Sequence, residues 1–257
     1  MNSKKTAIIL CGGTGSRLGI LGKKIPKCLV KINGQPIIWY IINMLNKNSF
    51  NHFVLPIGYK GNMIKNFLKK NKKFKKFHIE IINTGLNTNI SKRIHLVKPK
   101  IISNNFLLLN GDAIFDFDLK KVFKNHVKTD KEITFLGCEN QLPFGTIGIK
   151  NNKIISFERN IIFDGVKSRK DKKLTAYVYS GMAIMNKKLL NFDFKNYDNF
   201  EKKIYPKFIK KYKSDFVKID GFWHSVDNIK DIDETKKRNN IKKYEKLKKI
   251  KNTFLYG

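Results

Sequence analysis

Between residues 6 and 112 the sequence alternates two periods. Short, largely apolar runs, TAIILC (6–11), HFVLPIG (52–58), HIEIIN (78–83) and NFLLLNGD (105–112), have the length and composition of strands. Between them PIIWYIINMLNK (36–47) and GNMIKNFLKKNKKF (61–74) set apolar residues at helical spacing. Strands that are apolar on both faces need cover on both faces, and helical crossovers are what parallel strands require. The pattern therefore predicts an α/β fold, a Rossmann-like, mostly parallel sheet with helices on both faces.

After Asp118 the rhythm changes. Candidate strands crowd together in EITFLGC (132–138), TIGIKNNKIISFER (146–159, a hairpin with the two asparagines at its turn) and YVYSGMAIMN (177–186), and NFEKKIYPKFIKKY (199–212) then reads as a helix. From Asp231 to Lys251 a lysine-rich helix is expected, with a narrow stripe of Ile241, Tyr244, Leu247 and Ile250. No linker, repeat or low-complexity break interrupts the chain, so 1–257 reads as one domain, with natural divisions at 118 and 230.

Composition narrows the classes. A chain of 257 residues with 41% hydrophobic content can bury a sizeable core. No apolar run approaches the ~18 residues of a membrane span, and MNSKKTAIIL leads straight into a strand rather than a signal peptide. A cytoplasmic protein with no transmembrane segment is expected. Cys11, Cys28 and Cys138 have no C-x-x-C spacing, which suits a reducing compartment, and His52, His78, His95, His126 and His224 show no metal-ligand spacing in sequence. The formal charge of +33 invites a nucleic-acid partner, but the lysines are spread along the whole chain among Asn, Ile, Phe and Tyr and form no defined footprint. No specific nucleic acid is expected, while small polyanions should be attracted.

The first strand opens directly into CGGTGSRL. Backbone N–H groups freed by Gly12, Gly13 and Gly15 at a strand end form an anion-binding nest, and Arg17, Lys23, Lys24 and Lys27 follow within a few residues. This is a phosphate cradle, yet it is neither G-x-G-x-x-G nor a P-loop, since GKKIPK lacks the G-K-[ST] ending.

These residues carry a resemblance. LCGGTGSRL with IPKCLVKINGQPIIWYIINML resembles the signature of the sugar-1-phosphate nucleotidyltransferases, and GYKGNMIKNFL, NTGLNTNISKRI, LLLNGDAIFD, YSGMAIM and GFWHSVDNIKDI follow in that family's order across about residues 6 to 235. GYKG and GFW, with Asp227 four residues after Trp223, are most similar to the glucose-1-phosphate cytidylyltransferase branch. The resemblance implies a nucleotidyltransferase (GT-A-like) fold with a small antiparallel sugar-site insertion. It further implies a nucleotide-binding half (1–118), a sugar-phosphate-binding half (119–230) and an enzyme that joins CTP and glucose 1-phosphate, releasing pyrophosphate, to make a nucleotide sugar for surface polysaccharide.

The same resemblance assigns Asp112 and Asp227 to Mg²⁺, and Arg17, Lys27 and Asp112 to catalysis. Gly12, Gly13, Gly15, Arg17, Lys27 and Gly111 fall on the nucleotide, with Thr84, Gly85 and Arg93 near its base or ribose. Gly145, Glu158, Arg159 and Gly181 fall on the sugar phosphate. Two segments depart from the branch: ISKR puts Ser91 and Lys92 where T-G-G-R has glycines, and ERN puts Arg159 where E-K-P has lysine. Cys28 also replaces a proline. Guanylyl or uridylyl transfer, a heptose, mannose or non-sugar acceptor, and a degenerate transferase that binds nucleic acid or membrane stay open, as does a homo-oligomer.

Overall fold

The computed structural model describes residues 4–139, 145–150, 152–159, 177–194 and 197–237. Strand β1 (Thr6–Leu10) is buried almost throughout and leads through the glycine loop to the short helix α1 (Gly19–Lys24). A two-residue ladder of β2 (Lys31–Ile32) and β3 (Gln35–Pro36) precedes α2 (Ile37–Lys47), buried from Ile37 to Leu45. Then come β4 (His52–Ile57), α3 (Gly61–Lys70), β5 (His78–Asn83) and α4 (Ile90–Val97), whose N-cap Asn89 accepts from the Lys92 amide. β6 (Asn105–Asn110) and β7 (Ala113–Phe117) flank the Gly111–Asp112 turn, and α5 (Leu119–Lys128) starts at the cap residue Asp118.

The second half contributes β8 (Ile133–Cys138), the hairpin of β9 (Gly145–Lys150) and β10 (Lys153–Arg159), and β11 (Val178–Asn186). It ends with α6 (Phe200–Lys203), α7 (Tyr205–Lys211), β12 (Ser214–Lys218), β13 (Gly221–Ser225) and α8 (Ile229–Lys237). Among the described residues seven strands make the main sheet in the order β12-β8-β11-β6-β1-β4-β5. Its neighbours pair parallel except on both sides of β11. This is the mostly parallel sheet the alternation predicts, with β9–β10 as a separate antiparallel ribbon whose turn residue Asn152 takes a positive φ.

Alternation along β1 divides the core. Ala7 and Ile9 pack with α2 and α3 on one face, and Ile8 packs with α4 and α7 on the other. Because β1 and β6 are parallel neighbours with Leu10 opposite Asn110, the glycine loop and Asp112 emerge side by side at the carboxyl ends of the strands. That crevice is where open α/β sheets place ligands. Among the described residues no helix is long and apolar enough to cross a membrane.

The expected helix over 199–212 is two helices, broken at Ile204. Pro206 sits in the first turn of α7, where it has no N–H to give the Lys202 carbonyl and its ring crowds that carbonyl, so the hydrogen-bond ladder of a continuous helix is interrupted there. The long tail helix is seen only as α8 to Lys237; Ile241, Tyr244, Leu247 and Ile250 lie outside the described residues.

One buried polar group makes the core pH-sensitive. His126, 1% exposed, has Nδ1 2.7 Å from Thr134 Oγ1 and Nε2 3.2 Å from Asn105 Oδ1. Burial, the leading cause, drives its pKa from 6.5 down to about 4. A depressed histidine contributes stability that is present above its unfolded pKa and lost as the pH falls towards the folded value. Resistance to denaturant should therefore fall as the pH drops from 6.5 to 4, with His126 contributing roughly 3 kcal/mol. His126→Gln should flatten that part of the profile, and an unchanged pH slope would count against this origin.

Candidate active site

Two aspartates and a lysine meet at the strand ends. Lys27 Nζ lies 2.7 Å from Asp112 Oδ2 and 2.9 Å from Asp227 Oδ1, while the exposed Arg17 reaches the same Asp227 oxygen at 3.0 Å. Lys27 comes from the turn beyond α1 and Asp112 from the end of β6. Asp227 arrives through β13, which pairs antiparallel with β7 so that Ser225 faces Ala113, and the Val226 amide donates to the Asp112 carbonyl at 2.9 Å. The ladder thus brings residues from opposite ends of the chain to one point.

Asp227 is held from several sides. Ser225 donates to its Oδ2 at 2.8 Å, and Asp231 Oδ2 accepts from the amides of Asp227 (2.6 Å) and Asn228 (2.9 Å), fixing the turn into α8. Burial pushes the Asp227 carboxyl upward, but hydrogen bonds from Lys27 and Ser225 and the charges of Lys27 and Arg17 prevail and hold its pKa below the ordinary value. One oxygen from each aspartate therefore converges on a single cationic centre, the ammonium of Lys27. Such an all-oxygen, charged donor set suits a hard divalent cation.

The glycine loop is fixed from behind by Arg93, 4% exposed. Its guanidinium donates to the carbonyls of Gly12 (3.0 Å), Ile57 (3.3 Å) and Leu86 (3.4 Å) and to the Thr84 hydroxyl. A Cβ on Gly12 would fall 2.1 Å from Arg93 Nη1, so only glycine lets the loop lie on this support. At Gly111 an added Cβ would lie 2.6 Å from the Leu10 carbonyl oxygen, which makes the approach of β1 and β6 equally dependent on a missing side chain.

A cleft of about 680 Å³ opens beside the aspartates, within the range of small-molecule sites. Residues 12–14, 86–90, 110–112 and 198–201 line it, with Arg93 at its base. Gly15, Lys27 and Asp112 share an adjoining recess with Cys28. Gly12, Gly13, Gly111, Asp112 and Arg93 are thus gathered at one cavity, while Thr84 and Gly85 stand just before its wall; Thr84 is buried and donates its hydroxyl to the Ile57 carbonyl at 2.9 Å. Of the ISKR segment, Ile90 and Arg93 line the cleft; Ser91 is fully buried and Lys92 points to solvent.

The expected sugar-site residues come from β9, β10 and β11. Gly145 pairs with Arg159 and Glu158 with Thr146 across the hairpin; the side chains of Glu158 and Arg159 lie outside the described residues. Gly181, at positive φ, lies against the Asn110 side chain where the β11–β8 register shifts, and Trp223 Nε1 donates to the neighbouring Ser180 carbonyl at 3.0 Å.

Sequence reasoning missed the two walls at 86–90 and 198–201. Among the latter is Glu201, whose carboxyl burial, and then Asp112, push above its ordinary pKa. Nothing in the local sequence marks it, since FDFKNYDNF just before it carries two further acids and a single lysine.

Residues 6–240 match the family profile described as nucleotidyl transferase. The chain is 26% identical over 253 residues to the "Probable glucose-1-phosphate cytidylyltransferase" of Bacillus subtilis (strain 168), covering 90% of this chain and 94% of that protein. It is 29% identical over 186 residues to the "D-glycero-alpha-D-manno-heptose 1-phosphate guanylyltransferase" of Campylobacter jejuni, covering 72% and 77%. Among solved structures, HddC from Yersinia pseudotuberculosis complexed with GMP-PN superposes with a TM-score of 0.67 at 21% identity over 91% of this chain and 99% of that one, a likeness of fold.

Proposed function

The chain belongs to the nucleotidyl transferase family, and from that premise we propose that it transfers a cytidylyl group from CTP to glucose 1-phosphate, releasing pyrophosphate and forming a nucleotide sugar of the kind consumed in surface polysaccharide synthesis. The observation that carries the reading is the convergence of Lys27, Asp112 and Asp227 beside the glycine loop. In the reaction a phosphate oxygen of the sugar attacks the α-phosphorus in line, and the bond to the bridging oxygen of the leaving pyrophosphate breaks. Two anions must be brought together and the charge on the leaving group met by fixed positive groups. The loop amides over Gly12, Gly13 and Gly15 bind the triphosphate, and Arg17 and Lys27 supply the cationic side chains around it. Asp112 and Asp227 would hold Mg²⁺, which when bound neutralises phosphate charge.

Support for cytosine comes from the near full-length similarity to the Bacillus subtilis protein and from the GYKG and GFW segments. Guanine is a second reading of the same site, favoured by the Campylobacter jejuni relative. Pyrophosphate release over a matrix of four nucleoside triphosphates against glucose, mannose and heptose 1-phosphates with Mg²⁺ decides between them. CTP with glucose 1-phosphate is expected to give the highest kcat/KM. A maximum at GTP with the heptose phosphate would replace the base and the sugar while keeping the reaction. No turnover with any pair would overturn the proposal.

Arg159 tests the acceptor side. In the sugar-phosphate site its charge-assisted contact is worth on the order of 1.5 to 3 kcal/mol. Arg159→Ala should then raise KM for the sugar phosphate about 10- to 100-fold and leave KM for the nucleotide nearly unchanged. Equal weakening of both substrates would remove Arg159 from the acceptor site.

A further inference from the structure

At the amino ends of the strands, away from the cleft, a second group of ligand-type side chains converges. The parallel ladders pair Thr6 with His52 and His52 with His78, placing the three in one row across β1, β4 and β5. Glu80, two residues beyond His78, projects from the same face of β5. His52 Nε2 lies 3.3 Å and His78 Nε2 3.7 Å from one Glu80 oxygen, Oε1, and the three ligand atoms all lie within 4.8 Å of one another. We propose that His52, His78 and Glu80 form a binding site for a borderline divalent cation, zinc foremost, that is separate from the candidate active site and independent of the function proposed for it.

The spacing suits the ion. Ligands at ~2.0–2.1 Å in a tetrahedron stand roughly 3.4 Å from each other. The two histidine–glutamate pairs stand at 3.3 and 3.7 Å and the histidine pair lies within 4.8 Å, so closing on an ion asks chiefly for the two imidazoles to draw together, which the half-exposed His78 can do. Two imidazoles and one carboxylate select zinc, copper, nickel or cobalt over magnesium, which prefers oxygen alone. The supporting contacts are also in place. The His52 Nδ1 lies 2.9 Å from the fully buried Thr6 hydroxyl, which orients Nε2 towards Glu80 in the way outer hydrogen bonds fix metal-binding imidazoles. Lys100 holds the other Glu80 oxygen at 2.8 Å, leaving Oε1 as a single donor. His78 is half-exposed and gives the ion a route in, and a fourth position remains for water.

The position gives the site a role. β5 is an edge strand of the main sheet, and His78 begins it as His52 begins β4. An ion there cross-links the edge strand to its inner neighbour at the end opposite the cleft, roughly 17 Å along the strands. The histidines are far apart in sequence, and only the register of two parallel strands joins them.

Cobalt titration of the full chain, stripped with chelator, tests the site. About one equivalent of Co²⁺ should bind with the visible absorption of a tetrahedral nitrogen–oxygen site and be displaced by Zn²⁺. His78→Ala and Glu80→Gln should each weaken Zn²⁺ at least tenfold, abolish the Zn²⁺-induced rise in Tm and leave Mg²⁺-supported turnover unchanged. Thr6→Val should weaken the ion about 10- to 100-fold with all three ligands retained. Asp112→Asn should leave the cobalt spectrum intact, since its carboxylate belongs to the cleft. No binding up to millimolar Co²⁺ or Zn²⁺, binding insensitive to His78→Ala, or a spectrum lost in Asp112→Asn would each overturn the proposal; in those cases the three side chains are only a hydrogen-bonded cluster anchored by Lys100.

Discussion

Asp112→Asn and Asp227→Asn are each expected to lower kcat by about 100- to 10,000-fold while leaving the unfolding midpoint within a few degrees of the parent. The size of the kinetic effect follows from removing a full negative charge from the site proposed to hold a cation against developing phosphate charge. The small stability effect follows from the surroundings. Lys27, Asp112 and Asp227 are partly exposed, with side chains 16%, 26% and 36% accessible, so screening limits what their pairing contributes to folding. Asparagine keeps the shape and its one oxygen can still accept from Lys27, while at position 227 the amide nitrogen, standing in the place of Oδ2, would donate to the Ser225 hydroxyl. Steady-state kinetics at saturating substrate, paired with thermal unfolding, checks both halves. A variant that turns over like the parent would remove that aspartate from the reaction, and one that unfolds far earlier would make its role chiefly structural.

Arg93→Met should destabilise the protein by about 3 to 5 kcal/mol, because it strips the donor from the carbonyls of Gly12, Ile57 and Leu86 and from the Thr84 hydroxyl in a buried setting. Gly12→Ala should cost about 1 to 3 kcal/mol, since its Cβ would enter the space of the guanidinium. The informative quantity is the double variant. If Gly12→Ala acts by pushing Arg93 off its acceptors, the two changes remove overlapping interactions, and together they should cost clearly less than their sum. Denaturant unfolding of the four proteins gives the coupling, and strict additivity would mean that loop and arginine act independently. Both single variants should also raise KM for the nucleotide more than for the sugar phosphate, because the support lies under the glycine loop.

The parts of this fold that could be read from sequence are those whose burial leaves a local imprint. β1, β4 and β6 are enclosed on both faces, so their apolar runs stand out, and α2 repeats its apolar residues at helical spacing because it is almost wholly buried. Gly12 and Lys27 were legible because a strand end that opens into glycines and cations has a chemical reason visible within a few residues, whereas Asp112 was marked only by the family resemblance that its segment carries. The cleft walls had no such imprint. Leu86 and Asn87 are loop residues whose meaning depends on where β5 ends relative to β1, and Glu201 gains its place only from the way α6 folds back over β11. β7 and β13 are five residues each, too short to signal themselves before their pairing is known. The His52–His78 pair shows the same limit, for the two rings are 4.6 Å apart yet share no sequence motif.

The β7–β13 ladder has a consequence for how the protein comes into being. Asp112 leaves the ribosome with the first half of the chain, but its partner Asp227 is delivered by a late segment and fastened by the still later Asp231. A nascent chain can therefore pair β5, β4, β1 and β6 and bury much of its core while the acid pair is incomplete. On the role proposed for Asp227, turnover would wait until the β13 turn has been synthesised and has docked.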